Sequence, residues 1–104
     1  MEKVIRDGKV AVLVSHGFGA GWYSWNKENQ DLLFHPKLVE MVEQKRQREI
    51  DDEWVKENLG LDDVYCGGAS SLEIYWLPIG TDFEILEFDG HEILMTVDNL
   101  TLKA

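Results

Sequence analysis

The stretch Val10–Asn26 constrains the fold of this chain more than any other segment. It begins with five consecutive apolar residues, Val10–Val14, most of them β-branched. Such a run predicts a strand that is covered on both faces, and therefore a central strand. After Ser15, three glycines alternate with other residues between Gly17 and Gly21, so that the backbone can turn sharply or approach another group closely. The rest of the chain must build a sheet around this strand.

The loop that follows the strand is the best candidate for a binding site. Backbone amides in a glycine-rich loop can hold an anion, and exposed aromatic rings can stack on a flat ligand. The predicted ligand-binding residues are Gly17, Phe18, Gly19, Gly21, Trp22, Trp25 and Asn26. In the competing interpretation, the aromatic residues simply fill the core of a short chain. A mixed outcome would bury Trp22 or Trp25 and leave Phe18 exposed at the loop tip.

Two known motifs match this loop only in part. The dinucleotide fingerprint requires G-x-G-x-x-G at the start of a helix, whereas the spacing here is G-x-G-x-G. The segment SHGFGAG is similar to the oxyanion-hole segment of α/β-hydrolases, but the nucleophile elbow G-x-S-x-G is missing. A chain of 104 residues is also too short for the large sheet of that family. Neither a dinucleotide-binding fold nor a hydrolase is predicted.

A longer pattern resembles a group of small proteins carried by bacteriophages and prophages. Its distinctive segments are GFGAGWYSWN and PIGTDFEILEFDG, and together with LLFHPKLVEMVE the resemblance extends over most of the chain. No established activity of that group carries over onto these residues. The resemblance implies an accessory protein that acts in the cytoplasm of a bacterial host, with host defence as its target.

The chain is strongly acidic, with 20 Asp and Glu against 10 Lys and Arg and a formal net charge of −10. This charge opposes direct binding to nucleic acid and suits a basic protein partner. The single cysteine, Cys66, excludes an intramolecular disulfide and is typical of a reducing compartment. The N-terminus has no apolar signal-like run, and no apolar run approaches the length of a membrane span. We therefore expect a cytoplasmic protein without membrane contact.

Two Asp-Gly pairs indicate tight β-hairpins, because both residue types adopt positive φ readily. Asp7-Gly8 joins the first two strands, and Asp89-Gly90 joins the last two strands of a C-terminal meander. The predicted strands are Lys3–Arg6, Lys9–Ser15, Leu72–Leu77, Phe83–Phe88 and His91–Val97. A further short strand at Val64–Cys66 is left open, and Asp98–Ala104 is predicted to form either an edge strand or a tail. A strict two-residue turn places Glu87 opposite Glu92, so that either both carboxylates face water or the register is looser.

Two helices are predicted between the hairpin and the meander. The first begins at Pro36, which is typical of the first helical position, and runs to about Gln47. The second follows Asp51 as its N-cap and stops at Gly60. The predicted fold is therefore a single α+β domain, residues 1–104. Its antiparallel or mixed sheet has about five strands, with two central helices on one face.

The remaining polar residues favour binding over catalysis. His16, His35 and His91 lie far apart in sequence without metal-ligand spacing, and no carboxylate pair is singled out by its spacing. We predict no metal, no cofactor and no enzymatic activity. The predicted function is sequestration of a small nucleotide-like ligand at the loop. The alternative is an acidic inhibitor that docks on a basic surface of a host nucleic-acid-binding defence protein. A homo-oligomer is also compatible with the sequence, because a small domain rich in aromatic residues often leaves apolar surface for a second copy.

Overall fold

The strand predicted from the apolar run is the centre of the fold. The computed structural model describes residues 2–96 and the backbone of residues 102–103. In it, β2 (Lys9–Ser15) pairs antiparallel with β1 (Ile5–Arg6) on one side and with β3 (Leu72–Pro78) on the other. Residues Val10–Val14 are all buried, with at most 1% of any one exposed. The prediction of a central strand covered on both faces is confirmed.

Three helices follow β2 in the chain. They are α1 (Asp31–Phe34), α2 (Pro36–Glu43) and α3 (Asp52–Leu59). Helix α1 packs against β2 and α2 packs against β3, while α3 contributes the fully buried Val55 to the same core. Single turns of 3₁₀ helix occur at Tyr23–Trp25, Gln47–Glu49 and Ala69–Ser71.

The helix boundaries follow from local capping chemistry. The carboxylate of Asp51 accepts a hydrogen bond from the Trp54 amide at 2.8 Å, and Gly60 ends α3 with a φ of 68°. Both ends were predicted correctly. Helix α2, in contrast, ends at Glu43 and not near Gln47, because Lys45 adopts a φ of 58°. The chain reverses there through a bond from the Arg46 amide to the Met41 carbonyl, a helix end that usually requires glycine.

A second antiparallel sheet is formed by the C-terminal strands. It contains β4 (Asp82–Phe88), β5 (His91–Met95) and β6 (Leu102–Lys103) in the order β5-β4-β6. The α+β class is confirmed, but the predicted meander is wrong in one respect, since β3 pairs along its whole length with β2 and not with β4. The buried strand β2 needs hydrogen-bonding partners at both edges, and β3 supplies the second.

Both Asp-Gly turns are two-residue hairpins, as predicted. The φ values are 53° and 75° at Asp7-Gly8, and 51° and 84° at Asp89-Gly90. In the second hairpin Phe88 lies opposite His91 and Glu87 opposite Glu92, which is the strict register. No strand forms at Val64–Cys66. The predicted strand residues 97–101 and 104 lie outside the described part of the chain.

Candidate functional site

The loop after β2 is held in place by one buried carboxylate. Glu92 is fully buried, and its Oε1 accepts a hydrogen bond from the Ser15 amide at 2.9 Å. Its Oε2 accepts bonds from the Trp22 amide at 2.8 Å, the Ser24 amide at 2.9 Å and the Ser24 hydroxyl at 2.5 Å. All four partners are donors, which suits a group that only accepts. The glycine-rich loop therefore folds around an anion that belongs to the protein itself.

The glycines of the loop serve close packing as well as turning. The Gly19 amide donates to the Asp89 carbonyl at 2.6 Å, which ties the loop to the turn of the β4–β5 hairpin. A Cβ atom at Gly90 would lie 2.2 Å from the Ala20 nitrogen, and one at Gly21 would lie 2.4 Å from Ser24 Oγ. The loop can therefore pack against its neighbours only because these positions lack side chains.

Two of the predicted ligand-binding side chains are occupied by structural contacts. Trp22 is fully buried, and its indole nitrogen donates to the Leu32 carbonyl at 2.8 Å. The Asn26 side chain donates to the Tyr65 carbonyl and accepts from the Tyr65 amide, each at 2.9 Å. The indole of Trp22 thus lies in the core, and the amide of Asn26 fixes the backbone at Tyr65.

Trp25 lies at the surface on one side of the loop. It is 42% exposed, its indole nitrogen donates to Glu87 at 3.1 Å, and its ring centroid is 5.2 Å from that of Tyr65. An open depression of about 410 Å³ adjoins this pair. Its lining residues are Ser24, Trp25, Asn26, Lys27, Glu28, Asn29 and Asp63. Two carboxylates and one ammonium group line it, so the depression is acidic.

Phe18 lies at the tip of the loop on the other side. Its side chain is 71% exposed, and one face of its ring stacks on His91 with centroids 4.7 Å apart and planes inclined by 12°. His91 Nδ1 is 2.6 Å from the His16 carbonyl, and because a carbonyl only accepts, this nitrogen carries the proton. The mixed outcome of a buried Trp22 and an exposed Phe18 is the one observed.

The imidazole of His16 extends this surface towards β3. Its Nε2 lies 2.6 Å from the Tyr75 hydroxyl and 3.3 Å from a Glu73 carboxylate oxygen, and its ring centroid is 5.3 Å from that of His91. We name Phe18, His91, His16, Tyr75 and Glu73 the histidine–aromatic cluster.

A second open depression of about 410 Å³ adjoins the histidine–aromatic cluster. It is lined by His16, Gly17, Gln47, Ser70, Ser71, Leu72 and Glu73. Two hydroxyls, an amide, an imidazole and the Glu73 carboxylate therefore line this surface. Of the predicted binding residues, the structure brings Gly17 and Phe18 to this side of the loop and Trp25 and Asn26 to the other.

Sequence reasoning missed most members of this cluster. His91 and His16 are 75 residues apart, and only the hairpin register brings them together. A weak signal existed on β3, where Glu73 and Tyr75 occupy alternate positions and so share one face of the strand.

The only thiol of the chain, Cys66, is not part of the histidine–aromatic cluster. Cys66 is half-buried, and its Sγ contacts the Val64 carbonyl at 3.5 Å. Burial, together with the nearby Asp52 and Asp51 carboxylates, raises the pKa of this thiol to about 11. A thiol with this pKa stays protonated at neutral pH, which makes it a poor nucleophile.

Among the described residues, no three His, Cys, Asp or Glu side chains are grouped so that they could hold a metal ion. None of the helices in this part of the chain is long and apolar enough to cross a bilayer. No protein-family model, no curated protein and no solved structure matches the sequence or fold.

Proposed function

We propose that this protein binds a small nucleotide-like ligand at the histidine–aromatic cluster and sequesters it without catalysis. The observation that carries the proposal is the Phe18 ring, which is 71% exposed yet held parallel to His91 at 4.7 Å. A ring fixed in this way offers its free face to a planar base at little cost in side-chain entropy. Stacking of a base on an aromatic side chain contributes about 1–3 kcal/mol.

The depression beside Phe18 supplies the polar half of such a site. Ser70, Ser71 and Gln47 line it with neutral hydrogen-bonding groups, His16 and Gly17 line it on the side of the loop, and Glu73 adds one carboxylate. The hydroxyls and the amide suit a ribose better than a free anion, because the glycine-loop amides of Ser15 and Trp22 are already bonded to Glu92.

Sequestration is favoured over turnover by the state of the available nucleophiles. The single thiol, Cys66, has its pKa raised to about 11 by burial and lies away from the cluster. The resemblance to phage proteins supports the same direction, since a phage accessory protein gains from removing a defence signalling nucleotide from the host cytoplasm. No cofactor is needed for this function.

The proposal is tested by tryptophan fluorescence and thermal shift across a panel of mononucleotides, cyclic di- and trinucleotides and ADP-ribose derivatives. We expect one compound to raise the melting temperature of the wild type, and Phe18→Ala to lose that shift while Phe18→Tyr keeps it. Trp25→Phe is the matched control on the other side of the loop. Loss of binding in Trp25→Phe with no change in Phe18→Ala would move the site to the Trp25–Tyr65 depression. A panel without any shift would overturn the proposal.

A second candidate function follows from the acidic surface around α3. Six exposed carboxylates cluster on and beside this helix, at Asp51, Asp52, Glu53, Glu57, Asp62 and Asp63. Lys56 is the one basic residue on α3 itself, and its ammonium lies 3.7 Å from Asp62. Such a surface suits docking on a basic host protein. This function predicts an association rate with a captured host protein that falls steeply with salt, and a charge reversal at Asp52 and Glu53 that abolishes capture.

A further inference from the structure

The outer face of the β4–β5 hairpin is apolar and exposed. In the hairpin register Leu86 lies opposite Ile93, Phe88 opposite His91, and Glu84 opposite Met95. Residues that lie opposite each other on neighbouring strands share a face of the sheet. The exposed fractions are 75% for Phe88, 45% for Leu86, 41% for Ile93 and 40% for Met95. We name these four residues the hairpin face.

This exposure is imposed by the fold. Glu92 lies between two strand neighbours, His91 and Ile93, and points inward to the amides of Ser15 and Trp22. A shift of one residue would bury Ile93 and expose Glu92, which would leave those amides without their acceptor. The two-residue turn at Asp89-Gly90 fixes the same register. The hairpin therefore presents Leu86, Phe88, Ile93 and Met95 outward, while the carboxylate of Glu92 points inward.

The charge of the surface identifies what fits this face. The chain carries a net charge of −10, but on this side of β4 and β5 the carboxylates are Asp82 and Glu84, both on the half of β4 far from the turn, and the two strands carry no Lys or Arg there. At the strand positions of Leu86, Phe88 and Ile93, a basic partner would find no acidic side chain on this face. A second acidic copy is repelled by most of the surface, and the half of the face next to the turn, which has no charged strand residue, is where the repulsion is weakest.

The area of the face is consistent with a dimer. From the usual areas of such side chains, the four residues expose on the order of 400 Å² of apolar surface. The largest apolar patch on a typical monomer has a similar area and is often functional. A standard interface covers roughly 800 Å² on each partner, with an apolar core and a polar rim. The hairpin face supplies such a core, and the residues around it would form the rim.

We propose that the hairpin face is the contact between two copies of this chain. A two-fold axis through the face makes the interface self-complementary, with Phe88 of each copy packed against Leu86 and Ile93 of the other. The inference is independent of the proposed ligand. Phe18 stands beside the face, where it stacks on His91, and is not needed for the contact.

The test is sedimentation equilibrium of the full chain over a wide range of concentrations, without nucleotide. We expect a monomer–dimer equilibrium for the wild type and a dissociation constant at least about tenfold higher for Phe88→Ser and for Ile93→Thr. Both side chains are exposed, so circular dichroism should show an unchanged fold. The matched control is Ile79→Thr, which removes an apolar side chain that is 59% exposed outside the face, and it should dimerise like the wild type.

Two results would overturn the inference. One is a wild type that remains monomeric at the highest concentration. The other is a dimer whose dissociation constant is unchanged in both Phe88→Ser and Ile93→Thr, or is raised equally by Ile79→Thr. A wild type that dimerises through this face but binds no nucleotide would support the inference and reject the proposed ligand, so the two failures are distinguishable.

Discussion

The carboxylate of Glu92 accepts a hydrogen bond at 2.8 Å from the backbone amide of Trp22, 70 residues earlier in the chain. The bond joins the C-terminal hairpin to the loop that follows the central strand. Because the same carboxylate also accepts from Ser15 and Ser24, one side chain fixes both ends of the loop. The position of Phe18, and with it the proposed ligand site, depends on this contact.

Replacing Glu92 with glutamine tests its role in stability. Glu92→Gln keeps the shape but turns an NH₂ group towards amide donors, so at least one buried amide loses its acceptor. We expect the free energy of unfolding to fall by about 2–4 kcal/mol, measured by urea denaturation. Glu87→Gln, at the opposite and exposed strand position, is the control and should change it by less than about 1 kcal/mol. Equal losses in the two variants would contradict the role assigned to Glu92.

A pair of glycine substitutions measures the packing of the loop on the hairpin turn. Gly90 and Gly80 share a φ of 84°, but a Cβ at Gly90 would lie 2.2 Å from the Ala20 nitrogen, whereas one at Gly80 would meet nothing within 4 Å. We expect Gly80→Ala to cost about 1 kcal/mol for backbone strain alone, and Gly90→Ala at least about 2 kcal/mol more. Thermal or urea unfolding gives both values. Equal losses of unfolding free energy in the two variants would show that the backbone at Ala20 moves easily to make room for a Cβ at residue 90.

His35 makes the stability of the protein depend on pH. Its neutral Nδ1 accepts from the Lys37 amide at the start of α2, and burial lowers the pKa of His35 below its ordinary value of 6.5. The unfolded chain then binds a proton more readily than the folded one, so this contribution is present above about pH 6.5 and is lost as the pH falls. We expect His35→Asn, which keeps a capping acceptor that does not titrate, to show a smaller loss of stability between pH 7.5 and about pH 5.5.

The comparison variant for this prediction is His35→Ala, which removes the cap at every pH. It should be less stable than His35→Asn throughout the range. An unchanged slope in His35→Asn would assign the pH dependence to other groups.

Cys66 should resist alkylation. Its thiol has a pKa raised from 9.0 to about 11, chiefly by burial, which lowers the thiolate fraction about a hundredfold at pH 8. We expect iodoacetamide to modify the folded protein about a hundred times more slowly than the urea-unfolded protein, with mass spectrometry as the readout. Asp52→Asn removes a smaller contribution and should accelerate the reaction only slightly. Rapid modification of the folded protein would show that the thiol is more open to solvent than its burial indicates.

The parts of the fold set by neighbouring residues were predictable from the sequence. Asp7-Gly8 and Asp89-Gly90 form the expected turns, and Asp51 and Gly60 bound α3, because each acts on backbone within a few residues of itself. The end of α2 was not predictable, since Lys45 adopts a conformation that its side chain does not favour.

The parts that depend on distant contacts were missed or left open. The sequence placed Glu87 opposite Glu92 and predicted that either both carboxylates face water or the register is looser. The strict register forms, and Glu92 is nevertheless buried, where it accepts hydrogen bonds from amides near the other end of the chain. The choice of β2 as the partner of β3 was missed for the same reason, because strand pairing over such distances leaves no local pattern. The loop was selected from the sequence as a candidate site, but the contacts that bring His91 and Tyr75 close to Phe18 and His16 were not predicted.

The contacts of Glu92 also bear on how the chain is made. They span 68 to 77 residues, from Ser24 and Ser15 to a strand near the C-terminus. During synthesis the first half of the chain leaves the ribosome with its glycine-rich loop lacking the carboxylate that closes it. We expect the loop to close only when the β4–β5 hairpin docks on it. A truncated or stalled chain would therefore carry an open loop with unpaired amides, a form that proteases and chaperones can distinguish from the finished protein.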